Sequence, residues 1–213
     1  MSHAPTSWAT PGRLWHEGVM GFSPKPKRPA GKPPSEARLR EAAIAHLAKF
    51  ASTEAGLTRV LANRVRRWAR AAEAEGQDTE AGLIEGLAAA HRVAAAMVTA
   101  GAVDDAGFAA ARARRLARSG RSRRAMAAHL AAKGIDPEHA QAAIAEAPAE
   151  ADAALALCRK RRIGPFAREA ADPALRLKWL GVLARAGFSR DVAEAALQAD
   201  LDEAEARLIA LKQ

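Results

Sequence analysis

Apolar residues recur every three or four positions along most of the chain after residue 34, and polar or charged residues fill the spaces between them. Alanine, leucine and arginine, which favour helices, dominate this part, and β-branched residues are sparse. The first apolar stripe consists of Leu39, Ala43, Leu47 and Phe50, on a helix predicted over residues 35–51. The spacing therefore predicts an all-α body.

Two longer helices follow the first one. The earlier of them covers residues 53–74, with an apolar face formed by Leu57, Leu61, Val65 and Trp68. A polar loop over residues 75–79 separates it from a helix predicted over residues 83–99, which Gly101 ends. These three helices form a first group.

A second group of three shorter helices is predicted within residues 104–147. Asp104 and Asp105 are N-cap candidates for the first of them, and Gly120 supplies the left-handed conformation that ends it. Its two faces differ in character. The apolar face that we expect to meet a core consists of Ala109, Ala113 and Leu116.

The second helix of this group starts at Ser122 and ends in a distinctive turn. If Gly134 is the left-handed residue, Leu130 and Ile135 are the apolar pair that accompanies a Schellman motif. Asp136 then caps the third helix, and Pro137 follows at its first position, where a missing N–H costs nothing. The turn is therefore predicted in detail.

The same turn recurs 53 residues later. Gly187 stands at the position of Gly134, Leu183 and Phe188 repeat the apolar pair, and Ser189 repeats the cap. Such recurrence predicts tandem helical repeats. The predicted units are a flexible Pro-rich basic tail at 1–34, a first repeat at 35–103, a second at 104–148, and a third with a C-terminal extension at 149–213.

The predicted tail has a composition unlike that of the body. Residues 1–34 contain seven prolines and five basic residues against one acid, Glu17, and show no helical or strand period. Trp8 and Trp15 lie within it, where they could anchor a partner or pack locally. We therefore expect a flexible tail.

Basic residues cluster on the second repeat and at the start of the third. The net charge is +9, which favours polyanionic partners such as nucleic acid, an anionic membrane or an acidic protein. No acid occurs between Asp105 and Asp136, so the basic residues of that stretch lack a local counter-charge. The contact candidates are Arg112, Arg114, Arg115, Arg118, Arg121, Arg123, Arg124 and Lys133, followed by Arg159, Lys160, Arg161 and Arg162.

The sequence offers no grouping of residues with catalytic spacing. It has no Gly-rich phosphate loop followed by Lys-Ser or Lys-Thr and no His-Glu-x-x-His, and its six histidines are scattered. Cys158, the only cysteine, excludes an intramolecular disulfide and a cysteine-based zinc site, and we expect it to pack in the core. We therefore predict a protein that is not an enzyme and has no cofactor and no metal. Because the longest uncharged apolar stretch, residues 93–103, is too short to span a bilayer, we also expect a cytoplasmic protein.

Residues 122–146 also have the helix, turn and capped helix of a DNA-reading unit. The second of these helices contains no Arg, Lys or Asn, however, and Glu138 and Glu146 on it repel phosphates. Only His139 and Gln141 could reach a base edge. A helix-turn-helix transcription factor and a non-specific nucleic-acid binder stay open as alternatives.

One ordered set of residues points to a known family. It consists of Asp104-Asp105, Phe108-Ala109, Gly120-Arg121-Ser122-Arg123, Leu130 and Lys133-Gly134-Ile135. This set resembles the central repeat of the RecX family, regulatory proteins that bind RecA recombinase filaments. The resemblance implies three tandem three-helix repeats in a curved, elongated body.

The resemblance also implies a function. A member of this family lies in the groove of the RecA–DNA filament, bridges protomers and limits filament growth, ATP hydrolysis and strand exchange. It would act in recombination, DNA repair and the SOS response. We accordingly expect a monomer whose partner is the RecA filament, with direct contact to single- or double-stranded DNA and no membrane partner.

Overall fold

The computed structural model describes residues 31–211, and within this range it contains helices and no strand. The all-α prediction is therefore confirmed for this part of the chain. Trp8 and Trp15 lie outside the described residues, as does nearly all of the predicted tail. The α-helices are α1 Glu36–Leu47, α2 Glu54–Glu73, α3 Glu80–Thr99, α4 Asp105–Arg118, α5 Arg123–Ala132, α6 Pro137–Ala145, α7 Glu150–Arg161, α8 Pro173–Arg185, α9 Arg190–Gln198 and α10 Leu201–Ala210, with one 3-10 turn at Gly164–Phe166.

The helices begin where the capping residues predict. Asp104, Ser122, Asp136 and Ser189 each accept a hydrogen bond from a backbone N–H group two or three residues further on, at 2.8–3.4 Å. Each of these bonds satisfies one of the N–H groups that lack a partner in the first turn of a helix. The short helices are thereby held in register with the turns that precede them.

The predicted Schellman turn is present in both places. Gly134 and Gly187 have φ of 74° and 92°, the left-handed region that glycine enters at little cost. The Ile135 N–H donates to the Leu130 carbonyl at 3.2 Å, and the bond at the second turn has the same length. Leu130 and Ile135 are both buried, as the motif requires.

The first nine helices pack as three triplets, α1–α3, α4–α6 and α7–α9. In each triplet the third helix packs against the other two. Within residues 31–211, the extended contact between helices of different triplets is that of α4 with α7, and none joins the first triplet to either of the others. The sequence did not predict α10, which packs on α7 and adds Ala204, Leu208 and Leu211 to the core. The boundaries predicted for the tail and the three repeats, 1–34, 35–103, 104–148 and 149–213, stay a prediction.

The buried apolar residues form two cores. One lies inside the first triplet and includes Leu39, Leu57, Leu61 and Val93. The other is continuous through the second and third triplets and α10. The prediction that Phe50 continues the α1 stripe is wrong, because α1 ends at residue 47, and Phe50 is 59% exposed.

Helix α3 is long and apolar enough, by length and composition, to pass as a membrane span. Core helices of soluble proteins have the same properties. Its buried residues include Ala90 and Val93, and it packs against both α1 and α2. We therefore describe α3 as the central helix of the first triplet.

Two joints of the same design connect successive triplets. In the joint between the first and second, the hydroxyl of Thr53, the N-cap of α2, donates to the carbonyl of Lys133, the C-cap of α5, at 2.8 Å. Beside it, the Glu54 N–H donates to Asp105 Oδ1 at 2.9 Å. The Thr53 hydroxyl also accepts from the Gly56 N–H at 2.9 Å, so it serves its own helix and the next triplet at once.

The joint between the second and third triplets repeats this pattern. The hydroxyl of Ser122, the N-cap of α5, donates to the carbonyl of Ala186, the C-cap of α8, at 2.8 Å. The Arg123 N–H donates to Glu150 Oε1 at 2.9 Å. Ser122 is fully buried, so both of its hydrogen bonds form away from water. The joints fix how each triplet is oriented on its neighbour.

Candidate functional site

The arginines of α4 lie on the side of the helix that faces away from the core. Ala109 and Ala113 are fully buried, as predicted. Arg114, Arg115 and Arg118 are exposed, because the helical period puts them opposite that apolar stripe. The structure thus presents a row of guanidinium groups to solvent.

All twelve candidate cations are accessible to a partner. Eleven are exposed and Arg112 is half-buried. Within residues 31–211, none of the twelve forms an ion pair; the arginines that do so are Arg40, Arg92, Arg190 and Arg207. The positive charges of this surface are therefore not neutralised by ion pairs within the described structure.

Arg112 has a partner that is not an acid. Its Nε donates to His129 Nε2 at 2.8 Å, which ties α4 to α5. Partial burial lowers the pKa of His129, and Arg112, Lys133 and Arg121 lower it further. His129 is thus held neutral as a hydrogen-bond acceptor, and it is not a metal ligand candidate in this setting.

A cleft between the second and third triplets brings the two predicted basic clusters together. Arg121 reaches it from the turn after α4, and Lys160 and Arg161 reach it from the end of α7. Arg185 of α8 completes it and was missed in the sequence, because nothing in its local pattern distinguishes it from an ordinary surface arginine. The cleft has a volume of about 570 Å³, and none of the acidic residues in the described part of the chain lines it.

Close packing fixes the position of Arg121 in this cleft. The preceding residue, Gly120, has φ of 81° and lies against the backbone of α7. A Cβ added there would be 2.8 Å from the Leu157 nitrogen, closer than such atoms approach. Only glycine therefore allows the turn to approach α7 this closely, with Arg121 and Lys160 lining the same cleft.

The remaining candidates lie around this cleft and α5. Arg162, at the end of α7, is the only residue other than glycine with positive φ in the described range, at 55°. That conformation costs roughly 1–2 kcal/mol for a residue with a Cβ. Arg159 and Arg162 are exposed outside the cleft, whereas Arg123 and Arg124 are exposed at the start of α5.

Helix α6, which would be the recognition helix of a helix-turn-helix protein, carries no Lys or Arg. The groove beside it is of mixed charge, lined by Asp136, Glu54 and Asp105 and also by Arg59 and Arg66 of α2. Asp136 at the N-cap of α6 and Glu138 in its first turn repel phosphates, so this helix is poorly suited to a DNA groove. The described structure thus favours contact through α4, α5 and α7 over base reading by α6.

Two features of residues 31–211 bear on catalytic and metal chemistry, the arrangement of metal-ligand side chains and the thiol of Cys158. No group of three or more His, Cys, Asp or Glu side chains in this range could hold a metal ion. Cys158 is buried in the core, as predicted, and burial raises the pKa of its thiol to about 12. A thiolate nucleophile is therefore not formed there at neutral pH.

Residues 31–211 define a class of protein, an array of helical triplets with an exposed basic face whose cations form no ion pair within this range. The RecX family model for the second three-helix domain matches residues 104–144. The regulatory protein RecX of Myxococcus xanthus (strain DK1622) is 36% identical over 173 residues, which cover 79% of this chain and 88% of that protein. The RecX of Agrobacterium fabrum (strain C58 / ATCC 33970) is 36% identical over 104 residues, 49% of this chain and 56% of that protein. The chain belongs to the RecX family of regulatory proteins.

Proposed function

We propose that this protein binds the RecA–DNA filament and restrains its ATPase, growth and strand exchange. The observation that carries the proposal is the set of twelve accessible cations, none of them ion-paired within residues 31–211, spread over the second and third triplets. Membership of the RecX family supports RecA as the partner.

A tandem helical array is well suited to this role. The triplets follow one another in tandem, so cations on several triplets can reach successive sites along an extended partner. Individual exposed charge contacts are weak, about 0.2–1 kcal/mol each, but several of them together steer association and contribute to binding. The array would therefore bridge neighbouring filament subunits.

The α4 face provides the first test. Replacing Arg114, Arg115 and Arg118 with Ala leaves the buried stripe of α4 untouched, so helical content should not change. We expect this variant to require roughly tenfold more protein for half-inhibition of the DNA-dependent ATPase of RecA, because each lost contact weakens filament binding.

A matched control removes three exposed arginines of the first triplet, Arg59, Arg67 and Arg70, and changes the net charge equally. It should inhibit RecA nearly as well as the parent. A double replacement of His139 and Gln141 with Ala tests the transcription-factor alternative. If that variant lost RecA inhibition while the α4 variant kept it, the proposal would be wrong.

A further inference from the structure

We infer that the cleft between the second and third triplets is a phosphodiester site that holds the backbone of a single nucleic-acid strand. This inference rests on the proposed function, because the strand in question is the DNA inside the filament. It assigns separate roles to the two basic regions, with nucleic acid in the cleft and filament protein on the α4 face.

The cleft is built from parts that are far apart in sequence and fixed by packing. The turn after α4 supplies Arg121, the last turn of α7 supplies Lys160 and Arg161, and the last turn of α8 supplies Arg185. Ser122, next to Arg121, ties this turn to the end of α8 through its bond to Ala186. The backbone segments that carry the four cations are thus fixed around one space before any ligand arrives.

The negative helix ends at the cleft are too weak to balance its four cations. Three helix C-termini meet at this cleft, those of α4, α7 and α8. Each carries roughly −0.5 of an elementary charge, so together they offer roughly −1.5 against four positive side chains. A surplus of roughly +2.5 remains, and none of the four cations forms an ion pair within the described residues. This net positive charge makes the cleft a favourable site for an external anion.

The shape of the cleft selects among anions. A volume of about 570 Å³ suits a flexible strand or a small phosphate compound. A rigid duplex presents its phosphates on a convex cylinder and cannot enter a cleft of this size. Among residues 31–211, no aromatic side chain lines the space, so this part of the chain offers no platform on which a base could stack. Recognition should therefore depend on the backbone and be indifferent to sequence.

The test measures nucleic-acid binding without RecA, so its failure and the failure of the proposed function are distinguishable. The full chain is titrated into a fluorescein-labelled oligothymidylate, with anisotropy read between about 50 and about 200 mM salt. The cleft variant carries Arg121→Gln, Lys160→Gln, Arg161→Gln and Arg185→Gln, all at exposed positions. The matched control carries Arg59→Gln, Arg64→Gln, Arg67→Gln and Arg70→Gln, which lower the net charge by the same amount.

We expect the cleft variant to bind at least roughly tenfold more weakly than the parent, and the control to bind within roughly threefold of it. Each strand phosphate contributes about 0.7 to the slope of log affinity against log salt, so losing up to four contacts should reduce that slope by up to about 3. Equal binding by the cleft variant and the parent, or equal losses in both variants, would overturn the inference.

A competition arm distinguishes a strand from a small phosphate compound. Pyrophosphate and ATP present the same phosphate chemistry without a continuous backbone. We expect either one to displace the oligothymidylate only at millimolar concentration, since few contacts are made at once. Displacement at micromolar concentration would assign the cleft to a small phosphate ligand and overturn the strand assignment.

Discussion

Gly120 and Gly76 adopt nearly the same backbone conformation in different surroundings, which separates two costs of replacing a glycine. Their φ values are 81° and 77°, but Gly76 has open space around it, whereas Gly120 lies against Leu157. Gly76→Ala should lower the free energy of unfolding by about 1 kcal/mol, the cost of a Cβ in the left-handed region.

Gly120→Ala should cost at least about 1 kcal/mol more than Gly76→Ala, because a Cβ there also meets the backbone of α7, which cannot move as a side chain can. Urea unfolding of both variants measures the difference. Equal losses would mean that the turn and α7 are not in close contact in solution.

His129 predicts a pH dependence of stability. In the folded protein its pKa is lowered, by partial burial first and then by nearby cations, whereas in the unfolded chain it is about 6.5. As the pH falls through that value, the unfolded chain binds a proton that the folded protein does not, so stability is lost. The contribution of the neutral His129 to stability is fully present above about pH 6.5.

The variant His129→Gln keeps a possible hydrogen-bond acceptor for Arg112 but does not titrate. Between about pH 7.5 and about pH 5.5, the parent should therefore lose more stability than the variant, as measured by thermal unfolding. Parallel pH profiles for the two proteins would contradict the burial of the neutral imidazole.

At the scale of the helices, Ser122 and Ser189 have the same residue type and the same capping role, and only Ser122 also belongs to a joint. Ser189 is an exposed cap of α9, whereas Ser122 is buried and donates to Ala186 as well. Ser189→Ala should lower the free energy of unfolding by about 0.5–1 kcal/mol, the usual loss of an N-cap.

Ser122→Ala should cost about 1–2 kcal/mol more, because it also leaves the Ala186 carbonyl without its hydroxyl donor. Thr53→Val tests the first joint in the same way, because Thr53 is only 2% exposed. Chemical denaturation gives both values. If Ser122→Ala cost no more than Ser189→Ala, the joint would contribute nothing to stability.

The caps and glycine turns could be predicted from sequence because their physics is local. Asp104, Ser122 and Asp136 accept hydrogen bonds from N–H groups within three residues of them. Gly134 lies in a turn of six residues, which the bond from the Ile135 N–H to the Leu130 carbonyl closes. Helix α10 was predictable by the same rules, since Asp200 caps it at 2.9 Å from the Asp202 nitrogen and its apolar spacing is helical. It was missed because it lies beyond the repeat pattern.

At the scale of the whole molecule, the features that were not predicted join residues far apart in the chain. The joints connect Thr53 to Lys133 and Ser122 to Ala186, which are 80 and 64 residues apart. Sequence alone located Arg121 and Lys160 as members of separate clusters and could not say that they face one cleft. That requires the path of the turn at Gly120 over α7, which is a tertiary contact.

The joints also have a direction, with a hydroxyl on one triplet and a carbonyl on the next. A head-to-tail contact that does not close on itself can extend without limit if both ends of a molecule are compatible. In the third triplet, however, the N-cap of α8 is Asp172, which accepts from the Leu175 N–H at 2.6 Å and carries no hydroxyl of the kind that Thr53 and Ser122 donate. The third triplet therefore lacks the hydroxyl donor by which each earlier triplet is joined to the next.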